Sequence, residues 1–384
     1  VAHRRILAAL IAVSFTDSLA EEFLQPLLVV LLEGRGASAF LIGLATSVGD
    51  LGMLLAAPFV PTLVRVIRPV HYVRGSLLLL AFGVFLFPLL PHVAAWIAIE
   101  FAFGLVTCGF FVMSDSLVNA AAADSLRGRM LASYVFAESG GAIVGPLLLG
   151  VVGFEGLLPF CVASAIMLAG IAPWFLVDVS RAPDLGGGQA VSLFAVLRSA
   201  PFVLLMVAAG TFFEDVPQGL LPVFALESGL GQTTAMSLLA VLAAGSLAFQ
   251  LPSGWAADRI GQQPLLVVAG VAAAGLSLAL PALTGTWAMW LALPLLGGAL
   301  QVFELVGLML LGTRATPLTL AGLNAAATLS RSVTGFLAPP ATGWLMDRAG
   351  PGALFAALAG VAALVVAACW VESVRRARLR SSQT

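Results

Sequence analysis

Residues 21–28 read Glu21-Glu22-Phe23-Leu24-Gln25-Pro26-Leu27-Leu28, and residues 214–221 read Glu214-Asp215-Val216-Pro217-Gln218-Gly219-Leu220-Leu221. Both spell acid-acid-x-x-Gln-x-Leu-Leu, 193 residues apart. Gly141-x-x-x-Gly145-Pro146 and Gly335-x-x-x-Pro339-Pro340 match at an offset of 194. A near-constant offset between unrelated local motifs points to two halves of common ancestry, and such a repeat governs the whole fold. Parallel duplicated halves with a site between them are a standard plan for membrane carriers.

The surrounding composition places those halves in lipid. Of 384 residues, 60% are apolar and 10% are charged, where soluble domains carry about 25% charge. So few charges cannot cover a soluble fold of this length, which excludes an ordinary cytosolic enzyme, a disordered chain and a nucleic-acid binder. Apolar runs of spanning length recur at 6–32, 39–62, 70–91, 93–118, 129–152, 156–178, 200–227, 232–255, 264–284, 287–312, 318–345 and 351–373. Each meets the length of a membrane-crossing helix. The fold expected is an all-α integral membrane protein of twelve transmembrane helices in two pseudo-symmetric six-helix bundles. The first bundle covers 1–180 and the second 200–374. Between them, 181–199 holds Gly186-Gly187-Gly188 and reads as a flexible cytoplasmic linker; 375–384 is an Arg-rich cytoplasmic tail.

All 18 basic residues are Arg. With an even helix count, fifteen of them fall on the side of the termini, against only Arg35 and Arg348 in the opposite loops. Positive charge stays inside, so both termini are expected in the cytoplasm of a bacterium, with the chain threading its inner membrane several times. The first segment follows Arg4 and Arg5 but carries Asp17, Glu21 and Glu22, so it reads as a retained helix rather than a cleaved signal. Cys108, Cys161 and Cys369 each sit in apolar stretches and read as buried thiols. No disulfide, zinc, nucleophile-elbow or phosphate-loop pattern is present, so neither metal, cofactor nor enzymatic activity is expected.

Gly254-Trp255-Ala256-Ala257-Asp258-Arg259-Ile260-Gly261 lies between the eighth and ninth runs. It is similar to the cytoplasmic loop signature G-x-x-x-D-R-x-G of the major facilitator superfamily. The resemblance covers essentially the whole chain and is nearest to small bacterial drug/proton antiporter-like, YcaD-like, members. It implies alternating access, with Gly254, Asp258, Arg259 and Gly261 as a conformational motif. The first-half copy has lost its glycines and aspartate. Gly141, Gly145 and Pro146 resemble the fifth-helix motif of the family's antiporters, although packing of small residues beside a proline bend accounts for the same pattern. Where such antiporters carry an arginine in the fourth helix, this chain has Glu100. Gly343-x-x-x-Asp347-Arg348-x-Gly350 repeats the loop spacing but falls on the outer side.

Ten of the 19 acids, Asp17, Glu21, Glu22, Asp50, Glu100, Asp115, Glu138, Glu214, Asp215 and Glu304, are read as intramembrane, with Arg331 the base deep inside a span. A charge at mid-bilayer costs about 2.5–3.5 kcal/mol even on the mild scale, so these groups must face water, pair, or carry a proton. Asp115, Glu138 and Asp50 are read as near helix ends and reaching water. Asp17, Glu21 and Gln25 share one helical face, as do Thr211, Glu214 or Asp215, and Gln218. In the family the first and seventh helices line the central cavity, so the two acidic faces are expected to meet there. Asn324, Thr328 and Arg331 form a polar face of the eleventh helix, and Arg331 is the natural counter-ion for one acid. Asp17, Glu21, Glu22, Gln25, Glu100, Glu214, Asp215, Gln218, Glu304, Asn324 and Arg331 are therefore the candidates for proton coupling and the substrate cavity. Phe15, Phe23, Phe111, Phe212, Phe213 and Phe303 would suit an aromatic lining for organic cations.

The expected function is secondary transport by a monomer: export of small amphipathic cations or zwitterions in exchange for protons. Uptake by proton symport would use the same fold and acids. A non-transporting assembly or lipid-handling role on this scaffold is the reading from another class. The partners expected are a small-molecule substrate, protons and the bilayer, with no nucleic acid.

Overall fold

A computed structural model describes residues 2–67, 69–121, 127–175, 201–314 and 320–381. Among them the chain is helical, without a strand. The first half holds α1 (Ala2–Glu33), α2 (Ala39–Ala56), α3 (Pro69–Gly83), α4 (Val93–Ala121), α5 (Arg127–Val152) and α6 (Leu158–Ala169). The second holds α7 (Pro201–Glu227), α8 (Gln232–Ile260), α9 (Gln262–Leu283), α10 (Trp287–Arg314), α11 (Leu320–Ala349) and α12 (Ala353–Ser381). Short turns continue three of them: Ala57–Phe59 and Val60–Val66 after α2, Leu86–Leu89 after α3, and Ala172–Phe175 after α6.

Each expected span holds one of these helices, although α3 stops at Gly83 and α6 at Ala169, short of the expected 91 and 178. The 181–199 linker lies outside the described residues. The Arg-rich stretch from 375 continues the last helix as far as Ser381, consistent with the high helix propensity of Arg, Ala and Leu. Cys161 is exposed on α6, whereas Cys108 and Cys369 are buried; the apolar face of a membrane helix need not turn inward.

Among the described residues eight helices, α2, α3, α4, α6, α8, α9, α10 and α12, are long and apolar enough to cross a membrane on length and composition. The other four are the first and fifth of each half. They carry the paired acids, Arg331 and the glycine–proline motifs; the stretch Phe136–Val152 of α5 is apolar but shorter.

The repeat reappears as packing. A Cβ on Gly52 would meet the Phe101 carbonyl, and one on Gly104 the Gly49 backbone, so α2 and α4 cross at backbone contact. At the same 193-residue offset, Gly245 meets Pro294 and Gly297 meets Leu242 where α8 crosses α10. Small residues allow this close approach where lipid supplies no hydrophobic drive between helices. Between α1 and α5, Gly141 lies against Ser18 and Leu19, and Gly145 against Glu22; the Ser18 hydroxyl donates to the Glu138 carbonyl at 2.7 Å. These two glycines and Pro146 thus sit in a helix contact within the first half.

The halves meet most closely along α2 and α11, from the end opposite the termini to mid-depth. Gly343 is against Ala39, Gly43 against Pro339 and Pro340, and Gly335 against Asp50. The Ser47 hydroxyl donates to the Phe336 carbonyl at 3.0 Å. At the same end Gly150 of α5 touches Thr233 and Met236 of α8.

Candidate functional site

A cavity of about 200 Å³ lies among α1, α2, α3, α4 and α6 of the first half and is closed by α7 and α11 of the second. Its polar wall includes Asp17, Glu21 and Gln25 from α1, Asp50 from α2, Glu100 from α4, and Asp215 and Gln218 from α7. Residues of both faces line it: Asp17, Glu21 and Gln25 stand at i, i+4, i+8 on α1, and Asp215 and Gln218 at i, i+3 on α7, spacings that keep each set on one side of its helix. The cavity is not centred between the halves. In the second half Gly210 lets α7 close onto Glu304 of α10, whereas Phe103, Gly104 and Thr107 of α4 still face the cavity.

Glu22, Glu214, Glu304 and Arg331 are not among the lining residues. Glu22 turns from the cavity, its backbone against Gly145, and its carboxyl lies beside the Gln218 amide. Arg331 donates from Nη2 to Glu304 Oε1 at 2.7 Å, with Glu214 nearby. The two side chains of this ion pair keep 41% and 25% of their surface exposed, so the pair is not sealed in protein. The Asn324 side chain lies outside the described residues.

Asp50 departs from its sequence reading. It sits eleven residues from Ala39 and six from Ala56, the two ends of α2, and lines the cavity. Its carboxyl and that of Asp215 converge on Gly335. A Cβ there would lie 2.6 Å from Asp50 Oδ2 and 2.9 Å from Asp215 Oδ2. Two carboxyls from different halves thus share one glycine.

Some expected lining residues are elsewhere. Thr211 is buried and bonds the Val207 carbonyl of its own helix at 3.2 Å. Phe23, Phe213 and Phe303 are core residues, the latter two in ring contact at 4.6 Å. Phe111 does line the cavity, joined by Phe103 and Phe110. Periodicity shows that an aromatic lies on a face, and not which face is inward.

The two G-W-x-x-D-R-x-G stretches have the same local build. In the α8–α9 turn, Arg259 stacks on Trp255 at 4.0 Å and Gly261 adopts φ +91°. At the end of α11, Arg348 stacks on Trp344 at 4.0 Å and Gly350 adopts φ +87°. Asp258 and Arg259 are exposed. Asp347 instead accepts from the Ala39 N–H at 2.8 Å and the Phe40 N–H at 3.0 Å. It caps α2 across the boundary between halves, where a helix start presents unpaired N–H groups and partial positive charge.

Twelve helices in two repeated halves, with an acid-lined cavity at mid-depth, define a polytopic transporter. The chain belongs to the major facilitator superfamily, whose model matches residues 10–235 and 211–384. It is a multi-pass membrane protein and a secondary transporter of that superfamily. It is 26% identical over 273 residues to YfkF, an uncharacterized MFS-type transporter of Bacillus subtilis (strain 168), covering 69% of this chain and 68% of YfkF. It is 25% identical over 350 residues to the uncharacterized MFS-type transporter YcaD of Salmonella paratyphi B (strain ATCC BAA-1250 / SPB7), covering 90% of each. In fold it is similar to the nucleoside transporter NupG, with TM-score 0.77 and 14% identity over 95% of this chain and 98% of that one. A D-xylose-proton symporter gives TM-score 0.72 and 14% identity over 96% and 97%.

Proposed function

We propose that this transporter exports small amphipathic cations or zwitterions in exchange for protons, by alternating access. One observation carries the reading: five acids, Asp17, Glu21, Asp50, Glu100 and Asp215, line one cavity, while Arg331 is spent on Glu304. A carboxyl crowded by others in an apolar wall exchanges its proton for a cation as the cavity changes sides. Leu77, Leu80, Phe103, Phe110, Phe111 and Met167 supply an apolar wall suited to the body of an amphipathic molecule.

The arginine distribution favours cytoplasmic termini in a bacterial inner membrane. On that orientation the contacts from Ala39 to Gly335 close the outer side, a state in which a substrate enters from the cytoplasm. The protein acts as a monomer in this reading, and the two halves with their linker move as bodies.

The test is substrate-dependent proton movement in proteoliposomes, with tetraphenylphosphonium as probe and an internal pH indicator. Outward cation movement with inward protons is expected in the wild type, and its loss in Asp17→Asn, Glu21→Gln and Asp215→Asn variants that still fold. Coupled movement unchanged in all three sinks the site. Co-directional cation and proton flow would establish symport, and no movement would favour the assembly role.

A further inference from the structure

Glu100 differs from the other acids of the cavity. Only 5% of its surface is exposed. It leaves α4 where that helix is pressed on α2, with Gly49 against its backbone and side chain. Its Oε2 faces Gln25 Nε2 at 3.4 Å, longer than the roughly 2.7–2.9 Å of a charge-assisted bond. Its Oε1 is sealed from solvent without a hydrogen-bond donor, and so is Gln25 Oε1.

No base among the described residues relieves this. Glu21 of α1 faces Glu100, and Asp50 of α2 faces Glu21 in turn; both are acids. Arg35 stacks over Trp96 at 4.3 Å, Arg74 donates to the Trp174 carbonyl at 2.8 Å, and Arg331 bonds Glu304. An ionised carboxylate here would leave one oxygen without water, donor or counter-charge, which a low-dielectric site does not tolerate cheaply.

A single proton removes the charge from Glu100, leaves its Oε1 a neutral carbonyl oxygen, and supplies a partner for the orphaned Gln25 oxygen. The two ends of a carboxamide are nearly the same size, and their assignment follows the hydrogen-bond network. Turned over, Gln25 presents Oε1 to Glu100, and a protonated carboxyl donates to it. We propose that Glu100 carries the coupling proton, occluded under Gln25 while α2 and α11 are closed on each other. The proposal rests on the proton-exchange reading above and names the group that does the exchange. Release leaves a carboxylate on Glu100 and one proton in the cavity, beside Glu21 and Asp50.

The test is infrared spectroscopy of the purified full chain in lipid nanodiscs, in sodium-free buffer at neutral pH, with tetraphenylphosphonium transport measured in parallel. The wild type should show the carbonyl band of a protonated carboxyl that disappears in Glu100→Gln. Gln25→Leu should move that band without removing it, which keeps the test usable if Glu100→Gln does not fold. Accumulation of tetraphenylphosphonium driven by a pH gradient should be lost in Glu100→Gln and partly restored in Glu100→Asp. A band unchanged in Glu100→Gln, or pH-driven accumulation retained by it, overturns the proposal. A band that is abolished by adding sodium also overturns it, making sodium the occupant. A Glu100-dependent band in a protein that moves no lipophilic cation would leave the proton site standing and refute the export reading instead.

Discussion

Removing the Asp347 cap should open the end opposite the termini. Its carboxylate bonds the half-buried Ala39 N–H at 2.8 Å and the exposed Phe40 N–H at 3.0 Å, and both bonds cross from α11 to α2. A bond to a charged group contributes about 1.5 kcal/mol at the low end when partly buried, and about 0.5 kcal/mol when exposed. Together they favour the closed end by about 2 kcal/mol, an equilibrium factor of about 30. Because neither half makes these bonds alone, the loss falls on the open–closed balance and not on the folding of each half. Asp347→Ala should raise the open-to-closed ratio about 30-fold; Asp347→Asn, which keeps one acceptor but no charge, should raise it about 5-fold. Spin labels at Glu155 and Thr286, exposed loop positions in different halves, would report it by electron–electron distance measurement after replacement of the native cysteines. An Asp347→Ala distance distribution matching the wild type would refute the reasoning, as would a fall in melting temperature without any change in distances.

Three further outcomes follow from the geometry. Gly335→Ala puts a methyl within 2.6 Å of Asp50 Oδ2 and 2.9 Å of Asp215 Oδ2, an overpacking worth about 1–3 kcal/mol; the same label pair should register opening, and adding Asp50→Ala should reverse most of it in a double-mutant cycle. Arg331→Met should shift thermal stability by no more than about 1 kcal/mol, because the ion pair is partly exposed; a collapse in melting temperature would make the pair structural. Gly261→Ala should cost about 1–3 kcal/mol, because φ +91° with ψ 156° is a backbone region open essentially only to glycine, whereas Gly254→Ala, with no atoms near its would-be Cβ, should stay within about 0.5 kcal/mol by thermal melting.

Much of the fold was legible because lipid imposes a strict rule: each crossing needs a long apolar helix. The twelve runs and the 193-residue repeat therefore specify helices and halves without any knowledge of packing. The pairing of Arg331 with an intramembrane acid was legible for the same reason, since one buried base among many acids needs a partner. Asp50 was not legible. Only the approach of α11 to α2 brings it to Gly335 beside Asp215, and a contact between halves leaves no periodicity in either stretch of sequence. The aromatic wall was likewise misassigned in part, because Phe213 and Phe303 prefer each other in the core while Phe103 and Phe110 face the cavity.

The octapeptides at 254–261 and 343–350 mark the boundary between the two kinds of information. Sequence alone determined that both make the same end to a helix: the i, i+4 spacing stacks Arg on Trp, and glycine takes the positive φ that follows. Those are local interactions, fixed by covalent geometry and short range. Which aspartate does anything further was decided by tertiary structure. Asp347 meets the open N–H groups of α2 and ties the halves together, while Asp258 remains exposed, because a cap requires a partner helix start at the right place and only the packing of one half on the other supplies it.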